Sequence, residues 1–161
     1  MSHPFDTLVL EDGAKFIFTP CPGTKETTVS EAVETLKNAG ADAIISAMFD
    51  DELAAYQATT LGSVCADQQL EWFQLPLIDD GAPDEAFDKA WQENKQAIIA
   101  LIKANKTLAV HCRGGSGRTG LVVALILLAM GYSKIEAKNL VQSIRPLSLS
   151  KTYQLNYFEQ Y

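Results

Sequence analysis

Leu108-Ala109-Val110-His111-Cys112-Arg113-Gly114-Gly115-Ser116-Gly117-Arg118-Thr119-Gly120 is the stretch that decides the fold. An apolar run leads in, glycines fill the middle, and a second apolar run continues from Leu121 to Met130. This reads as strand, tight loop and helix. In that setting successive loop N–H groups point into one hollow, and the helix adds the positive end of its dipole. The hollow is an anion cradle with a sulfur, that of Cys112, at its floor.

Each part of the loop has a chemical reason. A cysteine attacks only as thiolate. Loop amides, the helix N-terminus and Arg118 all favour the charged sulfur. The planar fork of Arg118 matches two phosphate oxygens at once. Gly114, Gly115 and Gly117 allow backbone angles and approaches that a side chain would block. Arg113 and Ser116 complete the phosphate-binding lining. Thr119 can donate a hydrogen bond to the sulfur as it leaves. His111 alternates away from Cys112 along the strand, so it is expected to hold the loop by hydrogen bonds rather than to act as general acid. Together the parts suit attack on a phosphoryl group through a phosphocysteine intermediate. A structural cysteine beside a glycine-rich turn would need no arginine at this spacing.

Such chemistry needs a carboxylic acid to protonate the leaving oxygen and later deprotonate water. The segment Trp72-Phe73-Gln74-Leu75-Pro76-Leu77-Ile78-Asp79-Asp80-Gly81-Ala82-Pro83-Asp84 offers one. Asp79 stands 33 residues before Cys112 and Asp80 stands 32 before it. One of the two is expected to be a turn former, and Asp84 fits as the cap of the next helix.

The pattern His-Cys, five residues, Arg, Ser/Thr resembles the signature of the cysteine-dependent protein tyrosine phosphatase superfamily. Rhodaneses and arsenate reductases share a Cys-x5-Arg loop and are the alternative. The whole chain is similar to compact dual-specificity phosphatases, above all to the kinase-associated phosphatase (cyclin-dependent kinase inhibitor 3) family. The likeness lies in the Pro-x-x-Asp-x-Gly-x-Pro-Asp loop, the His-Cys-x-Gly-Gly-x-Gly-Arg-Thr loop and Gln154-Leu155-Asn156-Tyr157-Phe158. Before residue 70 it is looser, with an Asp-Glu-Leu segment at Asp51 to Leu53. The resemblance implies hydrolysis of phosphotyrosine, and often phosphoserine or phosphothreonine, with no metal or other cofactor. Related families place the acid third after the proline, which selects Asp79. The Asp-Gly-Ala-Pro spelling, by likeness to the regenerating-liver phosphatases, selects Asp80. Asp79 is preferred and both stand.

The family often carries two glutamines that place the hydrolytic water. Here the earlier position is Ser150, which can instead cap the last helix, so water positioning falls to Gln154 or the backbone. Lipid phosphatases of this superfamily carry extra lysines in the loop; Arg113 adds one charge here and Ser116 none. That favours a phosphoprotein or another singly phosphorylated substrate over multiply phosphorylated inositides.

Composition agrees with one domain over residues 1–161, able to bury about 70% of its unfolded surface. The formal net charge of -7 argues against nucleic acid or an anionic membrane as partner. Residues 103–161 hold 8 of the 13 basic residues, around the cradle; which of Lys134, Lys138, Arg145 and Lys151 border it is not readable. The Leu121–Met130 run is too short for a bilayer, which needs about 20 residues. Met1 to Asp6 lacks the features of a secretory leader. Three cysteines (Cys21, Cys65 and Cys112) with one nucleophile among them point away from a disulfide scaffold and to a reducing compartment, the cytoplasm; a monomer is expected. Cys21 and Cys65 read as buried residues, or one of them as a partner that resolves oxidised Cys112.

The elements alternate. Strands are expected at Lys15–Thr19, Ala43–Ala47, Glu71–Leu77 and Thr107–Val110. Helices are expected from the capping box at Thr28–Glu31, from Asp50 or Asp51 to about Leu61, from Asp84 to Ala104, from Arg118 to Met130, from the capping box at Ser133–Glu136, and from Ser150 to Tyr161. This is an α/β fold: a mainly parallel sheet with helices on both faces and the cysteine loop at the carboxyl end of a strand. The expected function is a phosphomonoesterase. The rivals are a phosphoinositide phosphatase and a non-catalytic phospho-binding module.

Overall fold

The computed structural model describes residues 2–161; Met1, part of the segment read above for a leader, lies outside them. Five strands form one sheet: β1 (Asp6–Val9), β2 (Lys15–Thr19), β3 (Ala41–Ser46), β4 (Glu71–Gln74) and β5 (Thr107–His111). Their order is β1-β2-β5-β3-β4. Every pairing is parallel except that of β1 with β2. The helices are α1 (Val29–Asn38), α2 (Asp50–Ala55), α3 (Leu61–Asp67), α4 (Glu85–Lys103), α5 (Gly117–Ala129), α6 (Lys134–Ile144) and α7 (Thr152–Gln160).

The pleat divides the apolar residues between two cores. Phe16, Phe18, Ala43, Ile45, Leu108 and Val110 face α4 to α7, with Phe87 and Trp91 of α4 and Phe158 of α7. Ile17, Ile44 and Ala109 face α1 to α3, with Val33, Leu36, Leu61 and Cys65. Helix α5 is buried from Arg118 to Leu127 on every side, so its apolar residues show no stripe. Both capping boxes form, at Thr28 with Glu31 and at Ser133 with Glu136.

Five expectations are corrected. Strand β1 was not anticipated; it is a four-residue edge strand with only Leu8 buried, too short to show alternation. The helix expected through Leu61 breaks into α2 and α3, with Gln57 in the left-handed region at φ 60. Phe49, not Asp50 or Asp51, is the residue before α2, and it gives no side-chain cap. Strand β4 stops at Gln74: Leu75 N–H still donates to Ser46 O at 2.9 Å, and Pro76 then ends the ladder. Ser150 does not cap α7, which is preceded by Lys151; its hydroxyl donates to Leu147 O at 2.5 Å.

Ser133→Ala removes one acceptor of the α6 capping box far from the cysteine loop. It is expected to lower the unfolding free energy by about 1 kcal/mol in a urea titration.

Candidate active site

Strand β5 delivers Cys112 to the sheet's carboxyl end, and the loop closes onto the N-terminus of α5. Cys112 is 3% exposed. Its Sγ accepts the Gly115 N–H at 3.2 Å. Gly115 has φ +84, and a Cβ there would lie 2.6 Å from the Thr19 carbonyl carbon, so only glycine fits.

The loop carbonyls are tied outward. Cys112 O lies 3.1 Å from His111 Nδ1. Arg113 O accepts the Cys21 N–H at 3.1 Å. Gly115 O accepts Arg145 Nε at 3.2 Å, and Ser116 O accepts the Ser148 hydroxyl at 2.9 Å. A trans peptide points its N–H opposite its C=O. Each tie therefore turns the next residue's amide toward the hollow: those of Arg113, Gly114, Ser116 and Gly117. Arg145 also reaches Asp6 at 2.6 Å and Phe18 O at 3.4 Å, joining the loop to β1 and β2.

Arg118 is 5% exposed. Its Nη1 and Nη2 donate to Glu52 Oε1 and Oε2 at 2.6 and 2.9 Å. Nη1 also reaches Ala47 O at 3.4 Å and Leu77 O at 3.3 Å. Glu52 thus occupies the end of the guanidinium, and the edge carrying Nε and the second Nη2 proton keeps a two-pronged donor. Burial opposes the Arg118 charge; the hydrogen bonds to Glu52 and the nearby Cys112, Glu52 and Asp79 outweigh it, and the net direction is upward.

Asp79 is 56% exposed, with Oδ1 3.8 Å from Arg118 Nη2. Asp80 adopts the left-handed φ of 58 and accepts the Tyr153 hydroxyl at 3.4 Å. Aspartate tolerates that conformation well; Asp79 and Asp80 both lie in the turn. Asp84 caps α4 as expected, accepting the Ala86 and Phe87 amides.

One cleft of about 650 Å³ is lined by Asp79, Asp80, Cys112, Arg118 and Gln154, with Arg113, Gly114, Ser116 and Gly117 of the loop. Leu147, Ser150, Lys151 and Tyr153 complete it. The Arg113 guanidinium lies over the Tyr56 ring, 5.2 Å from its centroid. Gln154 is buried with Oε1 unpartnered among the described residues. Thr119 is fully buried and its hydroxyl likewise lacks a partner, so the hydrogen bond expected toward the sulfur is not formed in this state. His111 is buried and Nε2 lies 2.6 Å from Ser46 Oγ. Cys21 and Cys65 are free and buried, and burial pushes both thiols up to about 12. Glu52, Ser46, Arg145 and Ser148 belong to the site; Arg145 was named only among the basic residues that could border it, and of the other three only Glu52, inside the Asp-Glu-Leu likeness, carried a sequence signal.

A family model described as "Swiss Army Knife protein, DSP-PTPase phosphatase domain" matches residues 23–155. The chain belongs to this family. Cyclin-dependent kinase inhibitor 3 of Rattus norvegicus is 26% identical over 137 residues, covering 83% of this chain and 63% of that protein. The chain thus spans less than two thirds of that relative's length. Protein tyrosine phosphatase type IVA 3 of Homo sapiens is 30% identical over 124 residues, 70% of this chain and 69% of that one. A crystal structure of kinase associated phosphatase, with its catalytic-site cysteine replaced by serine, superposes at TM-score 0.86 over 99% of this chain and 94% of that one, at 22% identity. The DSP-PTPase fold, with its mainly parallel sheet between helices, is the one expected. Among the described residues no helix is long and apolar enough to cross a membrane.

Burial pushes His111 down from 6.5 to about 4. Between those values the unfolded chain takes up a proton that the folded chain refuses. Stability is therefore flat above the unfolded value, falls as pH drops toward the folded one, and falls no further below it. The loss from pH 7 to pH 5 is about 2 kcal/mol by linkage. His3, also lowered by burial, adds to the same slope. Urea titrations across that range should show a shallower slope for His111→Gln.

Proposed function

We propose that this protein is a phosphoprotein phosphatase acting through a phosphocysteine. The observation that carries the reading is the meeting of Cys112, the free edge of Arg118 and Asp79 on one cleft. The Cys112 thiolate attacks phosphorus while the ester P–O bond breaks. Arg118 and the inward amides hold the equatorial oxygens, where the developing charge lies. Asp79 gives its proton to the leaving oxygen. A water then attacks the phosphocysteine, Asp79 takes its proton, the S–P bond breaks, and phosphate leaves with the thiolate restored. Gln154, at the floor beside Gly117, serves to place that water; Ser150, at the rim, is a weaker candidate.

Asp79 is the acid because its carboxylate borders the arginine fork, whereas Asp80 is engaged by Tyr153 in the turn. The cleft balances three cations, Arg113, Arg118 and Lys151, against Asp79 and Asp80. Glu52 further offsets Arg118. That balance favours one phosphate, on tyrosine or on serine or threonine, over a multiply phosphorylated inositide. Nucleophile and acid side by side favour turnover over mere phospho-binding. Three free thiols accord with work in the reducing cytoplasm.

Hydrolysis of para-nitrophenyl phosphate in the presence of a chelator tests the reading. Activity is expected for the wild type and none for Cys112→Ser; retained activity in that variant would refute the mechanism. Asp79→Asn should lower kcat by about 10²–10⁴-fold, and Asp80→Asn should leave it near the wild-type value. The opposite ranking would assign the acid to Asp80.

A further inference from the structure

Three parallel strands bring a polar residue each to the α1–α3 face just below the loop. Thr19 of β2 and Ser46 of β3 are both in register with His111 of β5. All three are fully buried. Beside them β4 places Trp72, whose indole N–H donates to Ser46 Oγ at 2.8 Å. Ser46 Oγ is 2.6 Å from His111 Nε2, and His111 Nδ1 is 3.1 Å from Cys112 O. A continuous file of polar contacts therefore runs from the β4 strand to the backbone of Cys112. The backbone of α3 holds the indole in place: a Cβ on Gly62 would lie 3.0 and 3.1 Å from ring carbons of Trp72.

The two ends of this file fix its direction. An indole N–H can only donate and a carbonyl oxygen can only accept. Trp72 occupies a lone pair of Ser46, whose own proton is then free for His111 Nε2. The buried imidazole is neutral, so its single proton sits on Nδ1, where the Cys112 carbonyl needs a donor. The reverse tautomer would set the Nδ1 lone pair against that carbonyl oxygen and strand the Ser46 proton in an apolar core.

We infer that Trp72 and Ser46 are positioning residues, which fix the tautomer of His111 and through it the outward set of the Cys112 carbonyl. With that carbonyl turned out, the Arg113 amide turns in. The relay does not touch the substrate. Its consequence for turnover rests on the proposed role of Cys112; its effect on the imidazole does not.

Long-range ¹H–¹⁵N NMR of the His111 ring tests this directly. The wild type is expected to show Nδ1 protonated and Nε2 bare. Ser46→Ala should give a mixture of tautomers. Its alkylation by iodoacetate at Cys112, read by peptide mass at neutral pH, should slow by about fivefold, the worth of one ordinary hydrogen bond. kcat should fall by a similar factor with KM little changed. Ser46→Thr, which keeps the hydroxyl, should restore all three. Trp72→Phe removes the N–H together with the five-membered part of the ring; should Ser46→Ala not fold, it reports the loss of the same donor in weaker form. A wild-type ring protonated on Nε2, or an unchanged tautomer and alkylation rate in Ser46→Ala and Trp72→Phe, overturns the relay. A wild type that hydrolyses no ester but shows the expected tautomer and the slowed alkylation removes the phosphatase reading and leaves the relay standing.

Discussion

An amide can point into a hollow only if its carbonyl neighbour is satisfied elsewhere, and the site rests on that constraint. A glycine-rich loop left to itself samples many backbone states. Here four different donors engage its oxygens: an imidazole nitrogen, the backbone N–H of Cys21, the guanidinium of Arg145 and the hydroxyl of Ser148. They come from the preceding strand, the segment after β2, the end of α6 and the turn before α7. The fold acts as a frame that holds every outward-facing oxygen of that set, and the anion cradle is what remains on the inside.

The same logic governs the arginine. A guanidinium aimed at a phosphate must be buried enough to be rigid, yet burial of an unpaired cation is unfavourable. Glu52 resolves the conflict by binding one end of the fork and leaving the other edge available. The carboxylate sits on α2, far from the loop in sequence, so geometry and charge are set by different parts of the chain. Asp79 lies 3.8 Å from the other end of that fork, half exposed to solvent.

Local signals were legible in the sequence. The Cys112–Arg118 loop, the capping boxes at Thr28 and Ser133, the cap at Asp84 and the apolar runs of β2, β3 and β5 each depend on neighbours a few residues away. Together they sufficed for the fold and the core of the site. The supports were not legible, because they are long-range. Glu52 and Arg118 are 66 residues apart and Asp6 and Arg145 are 139 apart. Ser46 and Trp72 look like ordinary strand residues until the register sets Ser46 against His111 and the Trp72 indole, opposite Ile44, reaches along to Ser46. The proposed choice of Asp79 over Asp80 rests on contacts to Arg118 and Tyr153, 39 and 73 residues away, that no spelling reveals. Ser150 offered a cap by spacing alone, and the turn at Leu147 took its hydroxyl instead.

Helix α5 is enclosed on all sides from Arg118 to Leu127. The field of its aligned peptide groups thus travels through hydrocarbon to the mouth of the cleft, not through water. Mobile ions screen exposed charges over about 8 Å at physiological ionic strength but cannot enter that medium. Attraction contributed by the rim residue Lys151 should fade in concentrated salt, while the pull of the helix end and the buried guanidinium persists. On the proposed phosphatase reading, grip on an oxyanion would divide into a more salt-sensitive approach and a less salt-sensitive hold.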